Sequence, residues 1–172
     1  HSSAKNLHWT QMSDEQMREI YGNYSRDITT PYSGNAEDLN RYLKGKGVLS
    51  GQGQAFIDAQ NKYGISAAVL AGIAISESGG TSSLARKRFN VTSISSSRGW
   101  RRFNNVSECI DYTASMLANR YVKNSGLSGV SLKTLYQINA KYCPVSDTRN
   151  NSSNNRFWAQ NVENKVREIE KA

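Results

Sequence analysis

Histidine is nearly absent from this chain: of 172 residues only His1 and His8 carry an imidazole, both at the very start. The body therefore has no partner for a Ser-His or Cys-His nucleophilic pair and no imidazole for a zinc site. Cysteine is almost as scarce. Cys109 and Cys143 permit one bridge at most, with no Cys-x-x-Cys pair, and read as packed residues, either free thiols or linked to each other. No apolar run reaches the roughly 20 residues that span a bilayer; the longest, Ile65 to Ile75, is interrupted and reads as a core helix. The most telling gap is in negative charge. Between Ser78 and Ser107 there is no Asp or Glu, while Arg86, Lys87, Arg88, Arg98, Arg101 and Arg102 fall in the same stretch.

The chain as a whole is basic, with 22 Lys+Arg against 14 Asp+Glu, net +8. Such a balance favours polyanionic partners. Nucleic acid is one candidate, but no helix shows the Lys/Arg stripe of a recognition element, so it is set aside. The length suits one domain with a real core. Residues 1–12 read as a flexible N-terminal tail and 13–172 as a single domain.

The pattern is mostly helical. Ser13-Asp14-Glu15-Gln16 is a capping box opening a helix to Tyr21. Asn35 caps a helix through Leu43, and Gln52 to Tyr63 is helical with Gly64 as its stop. Asn105 caps a helix to about Val122, Ser131 caps another that Pro144 ends, and Trp158, Val162, Val166 and Ile169 mark a closing amphipathic helix. From Leu84 to Asn104 the apolar residues Val91, Ile94, Trp100 and Phe103 are spread among Ser, Thr, Gly and Arg, as in a small irregular or β-hairpin lobe. The fold class is mainly α (α+β).

Chemistry points to one helix end. Ser66 caps a short apolar helix that finishes on Glu77, followed at once by Gly79-Gly80. Leu70, Ile73 and Ala74 share the face of Glu77. Burial and the negative end of the helix dipole both disfavour its charged form. A carboxylic acid kept protonated near neutral pH is what a general acid needs to be. The plainer reading is a solvated glutamate in a fraying last turn.

The ordered set Gly53–Ser66, Glu77-Ser-Gly-Gly-Thr-Ser-Ser-Leu-Ala85, Gly99-Trp-Arg-Arg-Phe103, Ala140-Lys-Tyr-Cys-Pro-Val-Ser-Asp147 and Phe157-Trp-Ala-Gln-Asn-Val162 resembles the bacterial glucosaminidases of glycoside hydrolase family 73. These cut peptidoglycan, many as cell-surface autolysins or phage lysins. The resemblance covers about Leu39 to Ile169. It implies a lysozyme-like fold with Glu77 as catalytic acid, action at the cell surface, in the wall or on a virion, and no cofactor or metal. Peptidoglycan glycan strands are the implied partner of a monomer, with no nucleic acid or membrane. Anionic wall polymers, with teichoic phosphates and stem-peptide carboxylates, are a further partner fitting the charge.

Tyr142 corresponds to a tyrosine that lines the family's cleft near the acid, so it is taken as a second catalytic residue. Asn90, in a loose counterpart of the family's Asn-x-Phe-Gly segment, is read as a substrate contact, with Trp100 and Phe103 as sugar-stacking rings and Asp147 as a residue whose loop reaches the cleft. Most glycosidases need two carboxylates across the scissile bond. The acid-free stretch leaves Glu108, read as part of a helix cap, Asp111, read as a surface charge, and Asp147. A lone acid suits a substrate whose 2-acetamido group supplies the nucleophile. A lytic transglycosylase, a muramidase and a non-catalytic wall-binding module stay open as alternatives.

Overall fold

In the computed structural model, which describes residues 2–147 and 152–172, local caps set most helix starts. Ser13 accepts the Gln16 amide and the Gln16 side chain answers the Ser13 amide, opening α1 (Asp14–Tyr21). Asn35 and Asp38 repeat this exchange at α2 (Ala36–Leu43). α3 (Gly53–Tyr63) stops at Gly64, whose left-handed backbone suits glycine. Ser66 Oγ accepts the Val69 amide and opens α4 (Ala67–Glu77). Each such cap contributes about 1 kcal/mol.

The next segment is more ordered than its sequence suggests. Ser82 caps α5 (Ser83–Arg88), a helix that the expected irregular lobe did not contain. The hairpin itself is present, with β1 (Ser95–Ser96) antiparallel to β2 (Gly99–Trp100). Asn105 caps α6 (Val106–Leu117), which continues as a π-helical turn over Ala118–Val122. α7 (Leu135–Tyr142) begins later than Ser131. The Ser131 hydroxyl donates instead to the Val122 carbonyl at 2.7 Å, and Thr134 is the N-cap, its amide bonded to the Gln137 side chain. α8 (Ser152–Asn155) and α9 (Trp158–Lys171) complete the described chain.

Residues Ala67 to Ala74 of α4 are buried on every side, so this length of the helix has no solvent face. Helices apolar all round belong at the centre of a core. α9 lies along it. Gly72 permits the close approach, since a Cβ there would stand 3.0 Å from Val166 Cγ2. Trp158, Val162, Val166 and Ile169 are all buried, and α3 and α6 also pack on α4. The segment expected to be a loose tail instead packs on the body: it forms short 3₁₀ turns over Ser2–Asn6 and Trp9–Gln11, with Ala4 and Trp9 buried.

Candidate active site

Glu77, the last residue of α4, stands where the buried helix opens on a cleft of about 570 Å³. The turn after it is pinned from both sides. Ser78 Oγ lies 3.0 Å from the Ala74 carbonyl and 2.9 Å from that of Val91, which ties the helix end to the lobe. Gly80 has φ +77, and a Cβ on it would meet the Lys46 carbonyl at 2.1 Å, so glycine is required there.

The lobe wall is built around Asn90. Its amide donates to the carbonyls of Ile94 at 2.8 Å and Arg101 at 2.9 Å and accepts the Ile94 amide at 2.8 Å. Thr92 Oγ1 bonds Thr113 Oγ1 at 2.8 Å, and the Tyr142 hydroxyl donates to the Thr92 carbonyl at 3.1 Å. Between these fixed neighbours Ser93 faces the cleft with φ +58. α6 contributes Tyr112 and Met116 to the lining and the π turn Arg120 and Tyr121, with Tyr142, Cys143 and Asp147 from the end of α7 and the loop after it.

Burial raises the Glu77 pKa above the ordinary glutamate value; hydrogen bonding to Ser93 and to the Trp158 indole partly opposes it. Trp158 Nε1 is buried with no partner at full hydrogen-bond geometry among the described residues, so it faces the Glu77 carboxyl as an unpaired donor. Tyr142 lies well above a normal phenol, mainly through burial and then through the charge on Glu77. Its ring packs on Trp158 at 5.3 Å and Tyr121 at 6.3 Å. The Cys143 thiol is pushed up to about 12 by burial and then by Glu77 and Asp147. Both cysteines are free, and Cys143 stays a protonated thiol rather than a nucleophile. A neutral carboxyl held at a cleft by such groups can deliver a proton to a leaving oxygen.

Of the residues singled out in the sequence, Glu77, Tyr142, Trp100 and Asp147 line this cleft. Trp100 is 43% exposed, free for a sugar face. Two of the expected substrate contacts are corrected. Asn90 is fully buried with its amide committed to lobe backbone, and Phe103 is buried against Tyr112 at 5.7 Å under the Arg101 guanidinium. Both shape the lobe and neither lines the cleft. Glu108 is bonded to Asn104, and Asp111 joins α6 to α3 through the Tyr63 hydroxyl at 2.9 Å. Asp147 is thus the second carboxylate lining the cleft among the described residues. Sequence reasoning missed Ser93, Arg120, Tyr121 and Trp158, which meet Glu77 or its cleft only through space. For Arg120, a cation between Leu117 and Tyr121 on one helix gave no signal.

Comparison with known proteins adds identity to this geometry. A catalytic mutant of Staphylococcus aureus autolysin E, crystallised with the disaccharide NAG-NAM, superposes with a TM-score of 0.70 at 22% identity, covering 93% of this chain and 79% of that one. The crystal structure of a major bifunctional autolysin superposes with a TM-score of 0.54 at 26% identity, covering 90% and 74%. The fold class is therefore that of the lysozyme-like autolysin domains. The profile of the family described as Glucosaminidase, mannosyl-glycoprotein endo-beta-N-acetylglucosaminidase, matches residues 53–171, and the chain belongs to that family of glycoside hydrolases. The bifunctional autolysin of Staphylococcus epidermidis is 37% identical over 100 residues, and that of S. aureus 35% over 107. These alignments take in 56% and 60% of this chain and 8% of each relative, so the chain matches only a small part of their length.

Proposed function

We propose that this domain cuts the GlcNAc-β-1,4-MurNAc bond of peptidoglycan as an endo-β-N-acetylglucosaminidase, with Glu77 as general acid. The carrying observation is the Glu77 carboxyl: half-buried at the end of an apolar helix, biased toward its protonated form, and open to a cleft of about 570 Å³. The names of the relatives, autolysins and a NAG-NAM complex, support the substrate class.

In this reading the acetamido oxygen of the bound GlcNAc attacks its own anomeric carbon. The glycosidic C–O bond breaks, and the Glu77 proton goes to the departing oxygen. Water then opens the oxazolinium ion and returns a proton to the Glu77 carboxylate. Trp100 at the cleft edge offers a stacking face. One observation favours a second reading: Asp147 shares the cleft and, with Glu77, acts on the Cys143 thiol. It could then serve as the base that activates water. The acid-free basic lobe would add affinity for anionic wall polymers, and the domain would act as a monomer at the cell surface or wall.

Mass spectrometry of digested peptidoglycan tests the reading. A reducing GlcNAc end supports it. A reducing MurNAc end makes the enzyme a muramidase, a 1,6-anhydro end a lytic transglycosylase, and no product a binding module.

A further inference from the structure

Two non-glycine residues among those described have positive φ, Phe89 at +53 and Ser93 at +58. Phe89 terminates α5 in the left-handed conformation common at helix ends. Ser93 terminates no helix. It occupies a conformation that suits glycine and, less well, Asn or Asp.

Its neighbours hold it there from four directions. The Val91 carbonyl is tied to Ser78 Oγ at 2.9 Å and the Thr92 carbonyl to the Tyr142 hydroxyl at 3.1 Å. The Thr92 hydroxyl is buried against Thr113 and Cys109, and both backbone polar groups of Ile94 bond Asn90. A left-handed residue persists where its surroundings over-determine it, and such strain collects at functional sites. The side chain so placed lies on the cleft wall, against Glu77.

We infer that Ser93 is a positioning residue for Glu77: the turn it occupies puts its hydroxyl beside the carboxyl, which that hydroxyl holds in its donating orientation. The inference rests on the reading of Glu77 as the acid. Two side chains from different elements then face one carboxyl, Ser93 from the lobe and Trp158 from the start of α9. The other groups facing the carboxyl are Tyr142 and Cys143 from the end of α7, both neutral, with Asp147 beyond them and Arg120 and Tyr121 on the π turn. Ser93 favours the charged form and so limits how far burial raises the acid.

The test uses Ser93→Gly and Ser93→Ala. Glycine relieves the backbone and removes the hydroxyl; alanine keeps the strain and removes the hydroxyl. Ser93→Gly should melt higher than Ser93→Ala. Both should lower kcat and move the alkaline limb of the kcat/KM profile to higher pH, because an acid that loses a stabiliser of its charged form stays protonated longer. Titration of a ¹³C-labelled Glu77 carboxyl reads the same shift without turnover. An unchanged limb and an unchanged Glu77 titration in both variants overturn the inference while leaving Glu77 as the acid. Retained activity in Glu77→Gln removes the reading beneath it, and the inference with it.

Discussion

The Tyr142 hydroxyl donates to the Thr92 carbonyl at 3.1 Å, so the phenol at the end of α7 acts as a strut under the turn that carries Ser93. From sequence, this tyrosine reads as a second catalytic residue. Its proton is used by backbone instead, while its ring packs between Tyr121 and Trp158.

Tyr142→Phe keeps that ring and removes the strut. A neutral hydrogen bond of this kind contributes about 1 kcal/mol, more if the carbonyl is left unpaired. The variant should melt a few degrees lower and lose roughly tenfold or less in turnover, the equivalent of about 1.4 kcal/mol. Melting curves and kinetics on the same preparation check this. A loss as deep as that of Glu77→Gln at unchanged melting temperature would show the phenol acting on the reaction directly.

Much of the fold was legible because capping is local. Ser13 with Gln16, Asn35 with Asp38, Ser66 and Asn105 each find their partner within one turn. Where a hydroxyl has a distant competitor the reading failed: Ser131 serves Val122 rather than a helix. Helix α5 was missed because six residues with only Leu84 and Ala85 apolar carry too little apolar period. The acid was legible because an apolar helix ending on a lone carboxylate is a one-dimensional pattern. Ser93 and Trp158 were not, since 16 and 81 residues separate them from Glu77. Asn90 was misread because an amide near a site and an amide that builds its wall look the same in sequence.

Glu77→Gln removes the proton donor and should cost about 10²–10⁴-fold or more in rate. It should also stabilise the protein at neutral pH. Burial raises the folded-state pKa of Glu77 above its unfolded value. The native state then binds more protons than the unfolded one, and stability falls as pH rises from the ordinary glutamate range through the raised value. The glutamine variant lacks this loss. Its melting temperature should exceed the wild type's at pH 7 and converge with it in acid, below the ordinary glutamate pKa of about 4.3. Melting both proteins across that range decides; a constant difference would mean that Glu77 ionises as it does in the unfolded chain.

The basic lobe should make wall binding salt-sensitive. Arg86, Arg88 and Arg102 bond the carbonyls of Thr81, Trp100 and Lys87, so their positions are fixed while no carboxylate neutralises them within the lobe. Exposed charges act within a Debye length of about 8 Å at physiological salt. Lys87→Glu with Arg98→Glu leaves those bonds and the Arg101 stack over Tyr112 in place. Sedimentation with cell walls should weaken severalfold, and its salt dependence should flatten. Wall binding equal to wild type at every salt concentration would reduce the lobe to a solvated face.

Asp147 decides between one carboxylate and two. Glu108 and Asp111 are held by Asn104 and by Tyr63 and Lys62, away from the cleft, so their alanine or amide variants should keep most of the activity. Glu108→Ala should cost about 0.3–1 kcal/mol, since it removes a first-turn carboxylate bonded to Asn104 while Asn105 still caps α6. Asp147 lines the cleft and bears on Cys143 together with Glu77. If the acetamido group is the nucleophile, Asp147→Asn should keep at least about a tenth of the wild-type rate, a change of no more than about 1.4 kcal/mol in the barrier. The anomeric configuration of the first-formed product, read by NMR, gives an independent answer. Attack by the acetamido group retains configuration, whereas water activated by Asp147 inverts it. An Asp147→Asn variant as inactive as Glu77→Gln, with the same melting temperature as wild type and an inverted product, would sink the substrate-assisted mechanism and make Asp147 the base.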